Sequence, residues 1–262
     1  MRAYLDGYWA LEPIAFVLGL CIGSFMNVCI YRIPILKSIV SPGSTCMSCN
    51  QPIRFYDNIP VISYLLLRGR CRNCKTPFSF RYPLIELLSG LFALGAFLRW
   101  GMSAESLIYY GFIAVLVVIT FIDIDHYIIP DVISLPGIPV GIIASFFLPE
   151  MTFKTSILGV LLGGGILYTV AWTYQFFAHK EGMGGGDIKL LAMIGAFVGW
   201  KGVLVTLFIG SIVGTLAGGA VMLYTRSSLK LKIPFGPFLA IGAMVHIFFG
   251  EDLIYWYWSG LQ

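Results

Sequence analysis

Two acidic clusters carry the residues best suited to chemistry. The first reads Phe121-Ile-Asp123-Ile-Asp125-His126-Tyr-Ile-Ile-Pro130-Asp131, and the second reads Glu181-Gly-Met-Gly184-Gly185-Gly186-Asp187-Ile-Lys189. Each sits at the end of an apolar run, where a carboxylate is costly and marks a functional site by default. Two carboxylates brought together share a proton, because like charges a few ångströms apart do not both ionise cheaply. One then serves as base towards water while its partner serves as acid, which is the chemistry of an aspartic protease. The same residues also suit a proton relay in a transporter, or the capping of helix ends. The glycines before Asp187 are too weak a motif for phosphate binding, but they let an extended peptide backbone approach the carboxylate closely.

Four cysteines form the other chemical group: Cys46-Met-Ser-Cys49 and Cys71-Arg-Asn-Cys74, separated by 21 residues. Two Cys-x2-Cys pairs bring four thiolates tetrahedrally onto one Zn²⁺, and the polar stretch holding them has few residues with which to build a core. Four protein ligands leave no position for water, so the expected site is structural and not catalytic. The remaining thiols, Cys21 and Cys29, lie in an apolar run and read as small core residues.

The elements that position these groups are membrane spans. The chain is 58% hydrophobic and 11% charged, with a mean hydropathy of +0.86. Thirty charged residues do not solvate a folded surface of this size unless lipid covers most of it, which excludes a soluble domain, a disordered tail and a nucleic-acid-binding protein. A helical crossing needs roughly 20 apolar residues. The runs predict an all-α integral membrane protein of about eight spans: Ala10 to Ile33, Leu84 to Arg99, Leu107 to Ile122, Val132 to Leu148, Thr155 to Ala178, Ile188 to Gly199, Val203 to Tyr224 and Phe235 to Phe249. The sixth is the shortest, and a re-entrant segment is the alternative there.

With eight spans, 13 of the 17 Lys and Arg residues fall on one side: Arg32, Lys37, Arg54, Arg68, Arg70, Arg72, Lys75, Arg81, Lys180, Lys189, Arg226, Lys230 and Lys232. The positive-inside bias makes that side cytoplasmic, leaves both termini outside, and argues against a cleaved signal peptide. The cysteine module is then cytoplasmic, where disulfides are disfavoured. Two crossings separate Asp123 from Asp187, so topology returns both carboxylates to the same face. The expected division is residues 1–83, the first span with the zinc loop, and residues 84–262, the remaining bundle.

The chain resembles the type IV prepilin leader peptidases, bifunctional membrane enzymes with a GxGD-type aspartyl site. The resemblance runs through nearly the whole length: Gly23-Ser-Phe-Met-Asn27-Val-Cys-Ile-Tyr-Arg32, both cysteine pairs, Asn58-Ile-Pro-Val-Ile-Ser-Tyr64, Arg81-Tyr-Pro-Leu-Ile-Glu86, Asp123-x-Asp125, Ile129-Pro130-Asp131, Gly182-Met-Gly184-x-Gly186-Asp187-x-Lys189 and Pro234-Phe-Gly-Pro237. It implies that Asp123 and Asp187 are the catalytic pair. It further implies that the substrate is a type IV prepilin or type II secretion pseudopilin, cut after the Gly that ends a short basic leader, at the cytoplasmic face of a bacterial inner membrane. The family then methylates the new N-terminal amine with S-adenosylmethionine. With no separate methyltransferase domain in view, Glu12, Gly23 and Asn27 are the candidates for the donor site. Two other readings remain: a peptidase-only relative of the preflagellin type, and a transporter relaying protons through the carboxylates. The four-cysteine module and first-span motif weigh against the former. The absence of a detectable repeat, with carboxylates at the membrane edge, weighs against the latter.

Among the residues around these sites, Asp125 is expected to tune Asp123 or solvate a helix end. Glu86 is expected to pair with a nearby Arg or, as the alternative, to bind the incoming leader, Lys189 to hold Asp187 ionised or to snorkel, and Asp131 to cap the fourth span.

Overall fold

The computed structural model describes residues 11–179, 184–225 and 233–259. Lys180, Glu181, Gly182, Arg226, Lys230 and Lys232, used above in the topology and motif readings, lie outside the described residues. All regular elements among the described residues are helical. They are α1 (Glu12–Arg32), a 3₁₀ turn (Phe55–Asp57), α2 (Ile62–Leu66), α3 (Arg81–Trp100), α4 (Ala104–His126), α5 (Asp131–Ala144), α6 (Phe153–Ala178), α7 (Gly185–Thr225) and α8 (Gly236–Ser259). Six are long and apolar enough to cross a membrane: α1, α3, α4, α6, α7 and α8. The protein is therefore a multi-pass membrane protein.

The chain forms two compact units, residues 1–114 and 115–262, with α4 contributing its first half to one and its second half to the other. In the first unit α1 packs along α3. Pro13 in the first turn and Glu12 at the positive end of the dipole start α1. Small residues let the two backbones meet: a methyl group added at Gly19 would lie 2.6 Å from the Ala93 Cβ, and one at Gly23 would lie 2.7 Å from the Glu86 Cα. The Ser89 hydroxyl donates to the Gly19 carbonyl at 2.7 Å across this contact. Of the two span thiols, Cys29 is buried as expected, whereas Cys21 faces outward.

In the second unit α6 and α8 both pack along α7, with α5 against it as well. A capping box between Thr152 and Thr155 opens α6. Gly159 opposes Gly195 and Gly163 opposes Leu191, so α6 runs antiparallel to the first part of α7. Thr206 opposes Gly242, and Gly210 and Gly214 both oppose Phe238, so the later part of α7 runs antiparallel to α8.

The helix α7 is broken at Gly199, which takes φ 68 and ψ −179. A left-handed φ of this kind is reached without strain only by glycine. The packing shows that the chain reverses there. From Asp187 the helix rises about 18 Å to Gly199, and it returns to the level of the α8 N-terminus near residue 212, about 20 Å further along. The eight expected spans thus correspond to six long helices, one of them folded back on itself at Gly199, together with the 14-residue α5. The expected fourth span extended to Leu148, but the helix ends at Ala144 after Pro136 and Pro139 have removed two of its backbone donors. The expected sixth span is a limb of about 21 Å, well short of the about 30 Å hydrocarbon thickness.

Candidate active site and metal centre

Asp123 lies in the last turn of α4, and Asp125, about 200° further around the same helix, points the other way. Asp123 is 5% exposed, and Asp125 is exposed. The Asp123 Oδ2 accepts the backbone N–H of Gly236 at 3.0 Å. Gly236 is the first residue of α8, so the carboxylate satisfies one of the four donors that every helix leaves unpaired at its start.

Asp187 lies in the first turn of α7 and is half-buried, its own N–H donating to the Gly184 carbonyl at 3.2 Å. Ile129, in the link between α4 and α5, ties the two carboxylate sites together. Its side chain lies 3.0 Å from where a Cβ at Gly186 would stand and 3.4 Å from where one at Gly236 would stand. The two carboxylates lie within electrostatic range of one another. Asp123, Asp187 and the N-termini of α7 and α8 therefore converge, and the positive ends of two helix dipoles face the pair. Such an arrangement suits a step in which negative charge grows on a bound carbonyl oxygen.

The pair is recessed. Gly163 lies level with Leu191, which puts Asp187 level with Leu167, so α6 continues about 16 Å beyond the carboxylates to Ala178. Exposed Tyr168, Trp172, Tyr174, Phe176 and Phe177 clothe those last turns.

Lys189 pairs with Asp131, its Nζ lying 2.8 Å from each carboxylate oxygen, and so clasps the first turn of α5 to the first turn of α7. Asp131 is the first residue of α5 and not its cap, a position taken by Pro130. Glu86 is buried and accepts the Val61 N–H at 2.7 Å, where an Arg partner was expected.

The four cysteines converge in the first unit, their Sγ atoms all within 4.8 Å of one another. Cys46 Sγ and Cys74 Sγ are 3.8 Å apart, which is about the edge of a tetrahedron with 2.3 Å Zn–S bonds and far too long for a disulfide. Each pair sits in the same loop. The N–H of Cys46 donates to the Gln51 carbonyl and that of Cys71 to the Thr76 carbonyl. Asn50 and Lys75, each four residues after the first cysteine, take φ 54 and 60 and donate back to Cys46 and Cys71. The repeat was legible as Cys-x2-Cys-x2-Pro, at Cys46 to Pro52 and again at Cys71 to Pro77, and the sequence reading passed over it. Backbone N–H groups of Cys49 and Ser48 pull the Cys46 thiol down. The Thr76 hydroxyl and N–H bring Cys74 down to about 6. Burial and the neighbouring thiols push Cys49 the other way, so the bias towards thiolate falls on Cys46 and Cys74, and it is the spacing of the four sulfurs that fits a metal ion.

The candidates for the methyl-donor site are placed differently. Asn27 is buried, and its Nδ2 donates to the Gly23 carbonyl at 3.3 Å and the Tyr82 carbonyl at 3.2 Å. Gly23 lies under the Glu86 backbone, and Glu12 stands in the first turn of α1. Gly23 and Asn27 lie on the contact between α1 and α3, and Glu12 stands about 16 Å from Gly23 along α1.

Sequence comparison agrees with this architecture. Residues 17–100 match the bacterial peptidase A24 N-terminal domain, and residues 110–219 match the type IV leader peptidase family. A Pseudomonas putida protein described as prepilin leader peptidase/N-methyltransferase is 36% identical, covering 97% of this chain and 97% of the relative. Proteins of the same description from Aeromonas hydrophila and Pseudomonas aeruginosa are 34% and 35% identical, covering 95% and 94% of this chain and 94% of each relative. No solved structure matches. The chain belongs to the prepilin leader peptidase/N-methyltransferase family.

Proposed function

We propose that this protein is a membrane aspartyl endopeptidase that removes the basic leader from type IV prepilins or type II secretion pseudopilins. It acts at the cytoplasmic face of the bacterial inner membrane and methylates the new N-terminal amine with S-adenosylmethionine. The observation that carries cleavage is the meeting of Asp123 with the Asp187 turn around Ile129, at the N-termini of α7 and α8.

In this reading Asp123 and Asp187 are the catalytic residues and hold one proton between them. Gly236 engages Oδ2 of Asp123 and leaves Oδ1 for the reaction. One carboxylate removes a proton from water as the oxygen adds to the scissile carbonyl, while the other gives its proton to the carbonyl oxygen. Collapse of the tetrahedral intermediate returns a proton to the departing amine. Asp125, exposed on the other side of α4, stays outside the step.

Cys46, Cys49, Cys71 and Cys74 hold one Zn²⁺, which closes the loop between α1 and α3 and supplies folding energy rather than chemistry. Methyl transfer is supported by the description that the relatives share. In this reading the donor site is assembled from α1 and the cysteine module, with Glu12, Gly23 and Asn27 as its candidate residues and Gly23 and Asn27 packing at the base of the module.

The test incubates purified enzyme with a prepilin and S-adenosylmethionine and records product masses. Leader loss followed by the gain of one methyl group is expected. Cleavage by Asp187→Asn at matched abundance overturns the assignment.

A further inference from the structure

The segment between the two cysteine pairs is tied to the membrane-spanning helices at a definite depth. Glu86 stands five residues into α3, about 7.5 Å beyond its first residue, and its buried Oε2 holds the N–H of Val61 at 2.7 Å. Val61 is the residue before α2 and takes φ 60 at this point. Helix α2 therefore starts level with the second turn of α3, a helix long and apolar enough to span a membrane.

Only Ser63 of α2 is buried. Ile62, Leu65 and Leu66 are exposed, Leu66 by 78%, and Phe80 beside the Tyr64 ring is exposed as well. Directly after this apolar tip, Leu67, Arg68, Arg70, Cys71 and Lys75 line a cavity of about 310 Å³. Arg68, Arg70 and Lys75 are exposed, and no ion pair among the described residues neutralises them. Arg72 differs, its guanidinium being held by Asp57.

Apolar side chains level with the start of α3, next to three exposed cations that no carboxylate among the described residues pairs, have the chemistry of the membrane interface. There a guanidinium meets phosphate oxygens through paired hydrogen bonds while alkyl groups enter the acyl boundary. A basic leader peptide is repelled by the same charges. We propose that α2 and the cavity of Arg68, Arg70 and Lys75 bind an anionic phospholipid headgroup and seat the cysteine module on the cytoplasmic leaflet. This goes beyond the peptidase reading and does not rest on it.

The test uses the full-length, metal-loaded protein in nanodiscs of phosphatidylcholine alone or of a mixture rich in phosphatidylglycerol. Amide hydrogen exchange is followed by mass spectrometry in peptides covering residues 62–75. Exchange is expected to be about tenfold slower with the anionic lipid, an effect weakened by added salt. Combining Arg68→Gln, Arg70→Gln and Lys75→Gln removes the lipid dependence while the metal content stays at one per chain. Arg68→Lys with Arg70→Lys, which keeps the charge, retains most of it. Equal exchange in the two lipids overturns the proposal. So does a lipid effect that survives in the triple variant, or equal protection by soluble glycerophosphoglycerol in phosphatidylcholine discs.

Discussion

The backbone N–H of Gly236 donates to Asp123 Oδ2 at 3.0 Å, joining two residues 113 positions apart in the chain. This bond orients the buried carboxylate with the start of a helix, a donor that no side-chain substitution elsewhere replaces. A methyl group at Gly236 would stand 2.6 Å from that oxygen. Gly236→Ala is therefore expected to displace Asp123 and lower kcat for leader cleavage by about 10²-fold or more. The helix itself tolerates alanine. Normal turnover by a correctly inserted Gly236→Ala would show that the contact is dispensable.

Asp123→Asn and Asp187→Asn are each expected to abolish cleavage while leaving thermal unfolding close to that of the parent protein. A mechanism in which two carboxylates share one proton does not run with one of them. Asp125→Asn should lose much less. Turnover of one prepilin by the three variants, at equal membrane abundance, separates these outcomes.

Removing the metal should unfold the cysteine module and not merely slow the enzyme. Cys46→Ser is expected to lose bound zinc and to expose residues 44–80 to proteolysis. Cys21→Ser and Cys29→Ser should keep one zinc per chain by elemental analysis. A metal-free preparation with full activity and an intact loop would reject a structural zinc.

Gly23→Ala forces a methyl group to 2.7 Å from the Glu86 Cα and 2.9 Å from the Ser89 Cβ. The two backbones must separate, at a cost of about 1–3 kcal/mol. Gly165→Ala, which meets open space, serves as the neutral comparison in thermal unfolding. Because Gly23 supports the cysteine module, methylation of a pre-cleaved pilin is expected to fall more than leader removal. The reverse order would separate the module from methyl transfer.

The Lys189–Asp131 pair is exposed and contributes little to global stability. Its effect is local, since it fastens α5 to the turn that carries Asp187. Lys189→Asp is expected to depress kcat with a nearly unchanged unfolding temperature, and adding Asp131→Lys should restore part of it. Failure of the exchanged pair to recover any activity would remove the clasp from the account.

Much of the protein was legible in its residues. Composition and apolar run length defined a helical membrane protein, because lipid admits few other ways to pair backbone groups. The cysteine spacing defined one metal site, because tetrahedral thiolate geometry needs two ligands from each short loop. The acidic clusters defined the candidate carboxylates, because charge at the end of an apolar run is costly without a use. Tertiary structure decided what spacing does not encode. The motif around Gly236 stood in the sequence without a role until α8 was packed against the end of α4. Glu86 was expected to seek an Arg, but the fold brought it the Val61 N–H. The apolar runs around Gly199 read as two spans with little room for a turn, and the structure reverses the chain on that single glycine. The burial of Asp123 and the exposure of Asp125 likewise depend on which face of α4 meets its neighbours. Run length and residue type are local properties of the chain. The partner that a buried polar group finds, and the face that a helix covers, are set by contacts between residues far apart in sequence, and these exist only once the helices have packed.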